Sequence, residues 1–538
     1  MQFFTRYLKW KLVLFILVAS IMLVVPDILF HFVNKTFKVS HDIKTLFFIM
    51  PLSAGLIVCR FKSFSYCCIV VLCILQIMQF ASLAYFGDLM SPYTIYMLER
   101  ELGDTIQEAV HVFIDYAYIL LIVCVPFAVI TYIIKKSKWR SYIGALALLC
   151  TVGLFGYKSL SQETERFFPN GIRFTIYNSV KAFWGYIVIS RSQIPSARYK
   201  PYEIRELPET KSDGPITIVY IIGESINFRH MSLFGYERDT TPQLKQLASR
   251  GDFYYTTGLS GAVSTWAACK FLTSVIKEPD NLQQTSARWT NLFRIAKMNG
   301  FKTYYLSNQT EHLLTSIGST SCIDVIKTRD SNPLKAKELN DEYLFYLLDK
   351  QQLDFRKNFI VLHQWAAHTP YSEHKEKGRS QLKGFSGSKD RRIDEYDNAM
   401  LYVDQVVAKI FTRFKNMIID KPNAGKLYVI WTSDHNELLG EGGKYGHGSG
   451  ALHGATADVP IVMLSNDQQY LDMMKAIFKP THYELARSVA RLLGVEIVNP
   501  NSVENVFYIN GADYNGKCGY LKCTRDNKSK TVQFETVR

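Results

Sequence analysis

Apolar residues are spread unevenly along this chain. Over the first 160 residues Leu, Ile, Val, Phe, Cys and Tyr dominate, in stretches at about 11–33, 45–60, 65–86, 116–134 and 141–159. A bilayer core needs about 20 apolar residues per helix, so the pattern predicts five membrane-crossing helices. The second stretch is short and holds Pro51, which leaves its ends the least defined. A cleavable leader would explain the first stretch alone. No small-residue cleavage site closes it, and four more apolar segments follow.

Beyond residue 160 the pattern changes. Aromatic, amphipathic spacing over 173–191 predicts interface-hugging helices, and the polar, Pro- and Gly-containing segment 206–215 predicts a linker. "ITIVYII" (216–222) is a continuous β-branched run, the pattern of a strand buried on both faces. Similar runs lie at 301–307, 358–364, 426–433 and 459–465, while 241–251 and 396–414 have helical spacing. Alternating strands and helices predict a mostly parallel sheet covered on both sides. The expected organisation is a membrane domain over 1–160, interfacial helices and linker over 161–213, an α/β domain over 214–510 and a C-terminal tail over 511–538. No internal repeat stands out.

Basic residues orient the spans. Arg6, Lys9 and Lys11, then Arg60 and Lys62, then "KKSKWR" (135–140) all fall on one side of a five-span chain, the cytoplasmic side by the positive-inside rule. The acidic 87–115 loop and everything after residue 160 are then external; Lys35, Lys38 and Lys44 run against that bias. Six of the ten cysteines lie in the membrane part, and Cys269, Cys322, Cys518 and Cys523 remain outside it. An oxidising compartment would allow two disulfides there, with Cys518–Cys523 the expected local pair. The net charge of +14 points to an anionic partner, and the spans make that a lipid surface rather than nucleic acid.

Polar residues collect where such sheets place ligands, beyond the carboxyl ends of the strands. The run 216–222 leads into Glu224; 358–364 leads into "HQWAAH" with His363 and His368; 426–433 leads into Asp434-His435 and, further on, His447. Glu, Asp and His on separate strand ends are the ligand types of Zn²⁺ or Mn²⁺. A metal on Glu224, Asp434 and His435 leaves a fourth position for a hydroxyl from "SGAVSTWAACK" (260–270). The cation would lower the pKa of that hydroxyl, and the amides of the helix that follows would favour a phosphate. Cys269 falls a turn into that helix in a disulfide or core position, which leaves Ser264 and Thr265.

Five segments together resemble a known family: "GESINFRHMSLFGYERDTTPQL" (223–244), "SNQ" (307–309), "HQWAAHTPY" (363–371), "YDNAMLYVD" (396–404) and "TSDHNELLGEGGKYGHG" (432–448). They look like the successive motifs of membrane phosphoethanolamine transferases of the alkaline-phosphatase and sulfatase superfamily, whose members include enzymes that decorate lipid A. The resemblance implies five spans and an alkaline-phosphatase/sulfatase-like α/β domain in the periplasm, in a multi-pass protein of a bacterial inner membrane. It puts the zinc ligands on Glu224, Asp434 and His435, with manganese as the alternative metal, and the nucleophile, itself a metal ligand, on Thr265. His368 and His447 fall on histidines that hold the phosphate or a second metal, and Asn308 and Gln309 where headgroup contacts are expected. The implied donor is phosphatidylethanolamine, with lipid A, lipopolysaccharide core or periplasmic glucan as acceptor. Two departures stand out. "GAVSTWAACK" lacks the family's Pro and flanking disulfide pair, and Asn436 replaces the common Gly after Asp-His.

The rival readings are a glycerophosphate transferase of the lipoteichoic-acid-synthase type and a phosphatase or sulfatase. No Cys/Ser-x-Pro-x-Arg motif follows residue 260, as a formylglycine sulfatase would require, and the "GES…HMSLFGY.RDTTP" pattern is foreign to the glycerophosphate enzymes. A non-enzymatic relative would lack a ligand, yet Glu224, Thr265, Asp434 and His435 are all present.

Overall fold

The computed structural model of the protein describes residues 2–537 except 35–36, 38, 41–42, 86–88, 91, 101–112, 160–172, 192–198, 208–213, 280, 282–283, 285–289, 318–319, 352, 354–355, 375–383, 420–424, 448–451 and 513–517. It divides into one unit of residues 1–193 with 440–451 and a second of 194–439 with 452–538.

The first unit is helical. Trp10–Val33, Lys62–Ala84 and Tyr118–Lys136 are long and apolar enough to cross a membrane, and Thr45–Val58 and Tyr142–Thr151 are shorter apolar helices. Large side chains such as Phe47 and Leu121 stay exposed, as a helix surface meant for lipid requires. Inside, Asp27 accepts from the Thr175 N–H that opens helix Thr175–Arg191, and Gln76 joins Thr175 to Ser179 of that helix.

The second unit is built on a seven-stranded sheet. Its strands are β1 (Ile216–Gly223), β2 (Phe253–Leu259), β3 (Lys302–Ser307), β4 (Val325–Lys327), β5 (Lys357–His363), β6 (Lys426–Ser433) and β7 (Asp458–Ser465), in the order β2-β7-β6-β1-β5-β3-β4. β6, β1, β5, β3 and β4 are parallel neighbours, and β7 runs antiparallel between β6 and β2. The expected mostly parallel sheet is therefore present. The edge strand β2 lies outside the predicted runs because "FYYTTGL" is only partly buried and has neither a continuous apolar run nor a clean alternation.

Every residue of β1 is buried, since both sheet faces are covered. Val219 and Ile221 enter one core with Tyr343, Tyr396 and Phe411; Ile216, Ile218, Tyr220 and Ile222 enter the other with Leu292, Phe293 and Val489. Helices Pro242–Ala248 and Arg391–Ile419 cover the first face, and Leu292–Met298 and His482–Leu492 the second. Residues 506–510, 520–526 and 531–537 form a separate antiparallel sheet. The expected Cys518–Cys523 bridge is not formed. Cys523 is a free thiol buried in that sheet's core with Phe507 and Leu521, where its strand fixes its direction.

His363, the last residue of β5, is fully buried beside the Tyr305 hydroxyl at 2.9 Å. Burial pushes its pKa from 6.5 down to about 4. Between those values the unfolded chain binds a proton that the folded chain refuses, so this contribution to stability is present above pH 6.5 and lost as pH falls toward 4. His374 and His482, each lowered to about 3 by burial, act in the same direction. Asp404, raised to about 7 by burial, and Asp341, raised likewise, act in the opposite direction. We expect denaturant unfolding of the detergent-solubilised chain to show stability falling across this window, because three histidines outweigh two carboxyls. His363→Gln should make that slope shallower by up to one proton, and an unchanged slope would refute this account of His363.

Candidate metal centre

Strand register assembles the site. Gly223 lies opposite Ser433, Ile222 opposite His363 and Thr432, and His363 opposite Ser307, so four parallel strands end abreast. Backbone bonds continue the ladder past the strand ends: Asp434 N–H to Gly223 O at 3.0 Å, Gln364 N–H to Ile222 O at 2.9 Å and Asn308 N–H to His363 O at 2.9 Å. Gly223 must be glycine, since a Cβ there would stand 2.9 Å from Trp431 Nε1. Ser225 then turns sharply with φ 56, a left-handed conformation that a serine adopts at a cost. Tyr396 clamps that turn by donating to Ser225 O at 2.7 Å and accepting from Asn227 N–H at 2.7 Å.

The turn delivers Glu224 into contact with Asp434 and His435, and one ligand atom from each lies within 4.8 Å of the others. All three residues are fully buried. Ser225 Oγ donates to Glu224 Oε1 at 2.8 Å, and Gln309 Nε2 donates to Oε2 at 2.9 Å. Asp434 Oδ1 accepts from Ser225 N–H at 3.0 Å and His435 N–H at 2.7 Å. Asp434 Oδ2 has no hydrogen-bond donor among the described residues and lies 3.2 Å from His435 Nε2. His435 Nδ1 sits 3.2 Å from Asn436 O; with the proton there, the Nε2 lone pair faces Asp434 Oδ2 and Glu224 Oε1. Buried carboxylate oxygens converging with an imidazole lone pair are the donor set of a divalent cation, so the residues present fit such a group.

Thr265 opens helix Thr265–Thr273 and turns its hydroxyl into this cluster. Its Oγ1 lies 3.2 Å from both Glu224 oxygens and 3.1 Å from His435 Nε2. Ser264, one residue earlier, is extended and donates instead to Ala512 O at 3.2 Å. Cys269 is buried against His363, and burial pushes its thiol well above the ordinary range, so it is a core residue and no nucleophile.

The remaining expected site residues take varied places. Gln309 binds Glu224 and also donates to Gln364 O at 2.9 Å, so its amide is spent on holding Glu224 in place. Asn308 donates to Asp341 at 2.9 Å. His368, half-buried, stacks its ring on Trp365 in the loop leaving β5. His447 is half-buried in the bend after Tyr445–Gly446, within the segment that groups with the first unit. Sequence reasoning missed Asp341, which accepts from the Trp365 and Ala366 N–H groups and so shapes that loop; nothing in "ELNDEY" sets it apart from an exposed acid.

The profile described as Sulfatase matches residues 216–495, just over half of the chain. This chain belongs to the sulfatase family. Within that family it is similar to the Kdo(2)-lipid A phosphoethanolamine 7''-transferase of Salmonella typhimurium, 29% identical over 43% of this chain and 40% of the relative. It is also similar to phosphatidylethanolamine transferase Mcr-2 of Escherichia coli, 25% identical over 57% and 59% of the two chains. The chain thus spans about half the length of the curated relatives it matches. Its fold is that of the integral membrane phosphoethanolamine transferase EptA of Neisseria meningitidis, with a TM-score of 0.61 over 90% of this chain and 95% of that one at 19% identity. For this sulfatase-family site we expect Gln309→Leu to lower divalent-metal affinity about 10–100-fold, because ligand-holding partners typically matter by that factor. Titration calorimetry with Zn²⁺ checks it; an unchanged affinity would show that Gln309 does not hold Glu224.

Proposed function

We propose that this protein transfers phosphoethanolamine from phosphatidylethanolamine to a lipid or glycan acceptor of the bacterial envelope. The observation that carries the reading is the Thr265 hydroxyl in hydrogen-bond contact with both Glu224 and His435, inside a buried donor set that includes Asp434. The names of the relatives support the chemistry. Lipid A is the acceptor named for the Salmonella typhimurium relative, with lipopolysaccharide core and periplasmic glucan as the other candidates. The membrane-capable helices and the full-length likeness to EptA support a multi-pass inner-membrane protein with its second unit in the periplasm.

Glu224, Asp434, His435 and Thr265 would hold the metal, for which zinc suits one imidazole with oxygen ligands. When bound, that cation lowers the pKa of the threonine hydroxyl and offsets charge developing on phosphoryl oxygens. Thr265 Oγ1 attacks phosphorus; the bond from phosphorus to the diacylglycerol oxygen breaks, and the hydroxyl proton ends on that oxygen. The product is a phosphoethanolamine ester of Thr265. An acceptor hydroxyl or phosphate then attacks the same phosphorus, and Thr265 leaves with a proton regained. Gln309 and Ser225 keep Glu224 oriented throughout. His368 is the proposed contact to a non-bridging oxygen.

Two outcomes follow. Wild-type protein given phosphatidylethanolamine without acceptor should gain one phosphoethanolamine mass on the peptide holding Thr265. Thr265→Ala should gain none while keeping its zinc, and Ser264→Ala should retain most turnover. An adduct on Ser264, or transfer by Thr265→Ala near the wild-type rate, refutes the assignment. Separately, a reporter enzyme fused after residue 210 should report a periplasmic site, and cytoplasmic activity would reverse the proposed topology.

A further inference from the structure

The segment that carries Thr265 touches the metal-ligand strand through a buried histidine that the mechanism above does not use. His482 opens helix His482–Leu492 and is fully buried. A capping box between Thr481 and Glu484 fixes the backbone there. Its Nδ1 accepts from the Gly261 N–H at 3.2 Å, and its Nε2 lies 3.0 Å from Ser433 O. A single tautomer satisfies both, neutral with the proton on Nε2. Gly261 stands four residues before Thr265, and Ser433 immediately precedes Asp434. One imidazole therefore spans the gap between the nucleophile segment and the strand end that presents Asp434 and His435.

The neighbouring contacts make this a frame. Ser260 Oγ bonds the Asp434 carbonyl, and Ser260 N–H donates to Ala457 O at 2.7 Å. On the far side Asn510 holds Gly261 O through its backbone N–H at 2.8 Å and its Nδ2 at 3.0 Å. Gly261 passes so close to Phe271 that a Cβ built on it would stand 2.7 Å from Phe271 Cβ, so no larger residue fits at this support. Replacing His482 by an apolar ring would strand the buried Gly261 N–H and leave the Ser433 carbonyl only the long 3.5 Å contact from Thr432 Oγ1.

We infer that His482 is a positioning residue that sets the separation of the Thr265 hydroxyl from Asp434 and His435. The inference rests on the reading of Thr265 as nucleophile. Reacting groups displaced by about 1 Å lose about 10²-fold in rate, so a strut at this point acts on the chemical step rather than on donor binding.

The test uses full-length, zinc-loaded protein in detergent and three variants. His482→Asn returns an acceptor near the Nδ1 position, His482→Gln returns a donor near the Nε2 position, and His482→Phe returns neither. Single-turnover formation of the phosphoethanolamine adduct on Thr265 is followed by intact mass at saturating phosphatidylethanolamine, with zinc per chain measured on the same samples. The expected result is a roughly 10–100-fold slower adduct rate per zinc-loaded His482→Phe chain, with the donor concentration for half-maximal rate unchanged and partial recovery in Asn and Gln. Rates per zinc-loaded chain within twofold of wild type in all folded variants would overturn the inference, as would a fall in zinc content alone. If His482→Phe does not fold, the Asn and Gln rates decide: slowing supports the strut, and wild-type rates refute it. A wild-type protein that forms no adduct would refute the proposed function itself, a different result from an adduct formed equally by all variants.

Discussion

Two carboxylates buried side by side, those of Glu224 and Asp434, are the constraint on which the site turns. Removing an ionised carboxylate from water costs several kcal/mol even after relaxation, roughly, and two together repel. The protein supplies donors for three of the four oxygens: Ser225 Oγ and Gln309 on Glu224, and the Ser225 and His435 amides on Asp434 Oδ1. The fourth, Asp434 Oδ2, is turned toward His435 Nε2. Donors stop where a cation is wanted.

Meeting that constraint takes support from far along the chain. Arg238 lies between Asp394 and Asp397 at 2.8 Å from each, and His230 and Tyr236 also bond Asp397. Asp404, a helix turn and more further on, accepts from the Gln243 and Leu244 amides that open helix Pro242–Ala248. The stretch after Glu224 is thereby fastened to the long helix Arg391–Ile419, whose Tyr396 also closes the Ser225 turn. Two motifs that look separate in the sequence, 223–244 and 396–404, are the two halves of one joint. Within this part-buried network Asp397 is fully buried, so removing Arg238 would leave its charge poorly compensated.

Much of this was legible beforehand, for identifiable reasons. Strands buried on both faces read as runs of apolar, β-branched or aromatic residues, so β1, β3, β5, β6 and β7 stood out, and the rule that ligands gather at their carboxyl ends singled out Glu224, Asp434 and His435. What stayed hidden depends on partners distant in sequence. Residue pattern alone left Ser264 and Thr265 open and only the resemblance pointed to Thr265; the backbone adds that Ser264 faces Ala512. The part played by Gln309 in holding Glu224 and that of Asp341 in shaping a loop are contacts spanning dozens of residues. Edge strand β2 and the 506–537 sheet are half polar, and their pattern resembles loop. Cysteine spacing suggested a bridge, but the strand that carries Cys523 directs its thiol into an apolar core.

The abreast ends of the parallel strands carry a consequence for how this architecture varies. A ligand's place is counted in whole residues: one residue added to β1 or β6 would invert which face each side chain meets, and two would displace the terminal carboxylate by about 6.6 Å along the strand. Strand length is therefore a discrete variable with a single permitted value, whereas the identities of the side chains beyond the ends can drift. An insertion within β1 or β6 would therefore carry Glu224 or Asp434 out of the cluster, a constraint that the loops beyond the strand ends do not share.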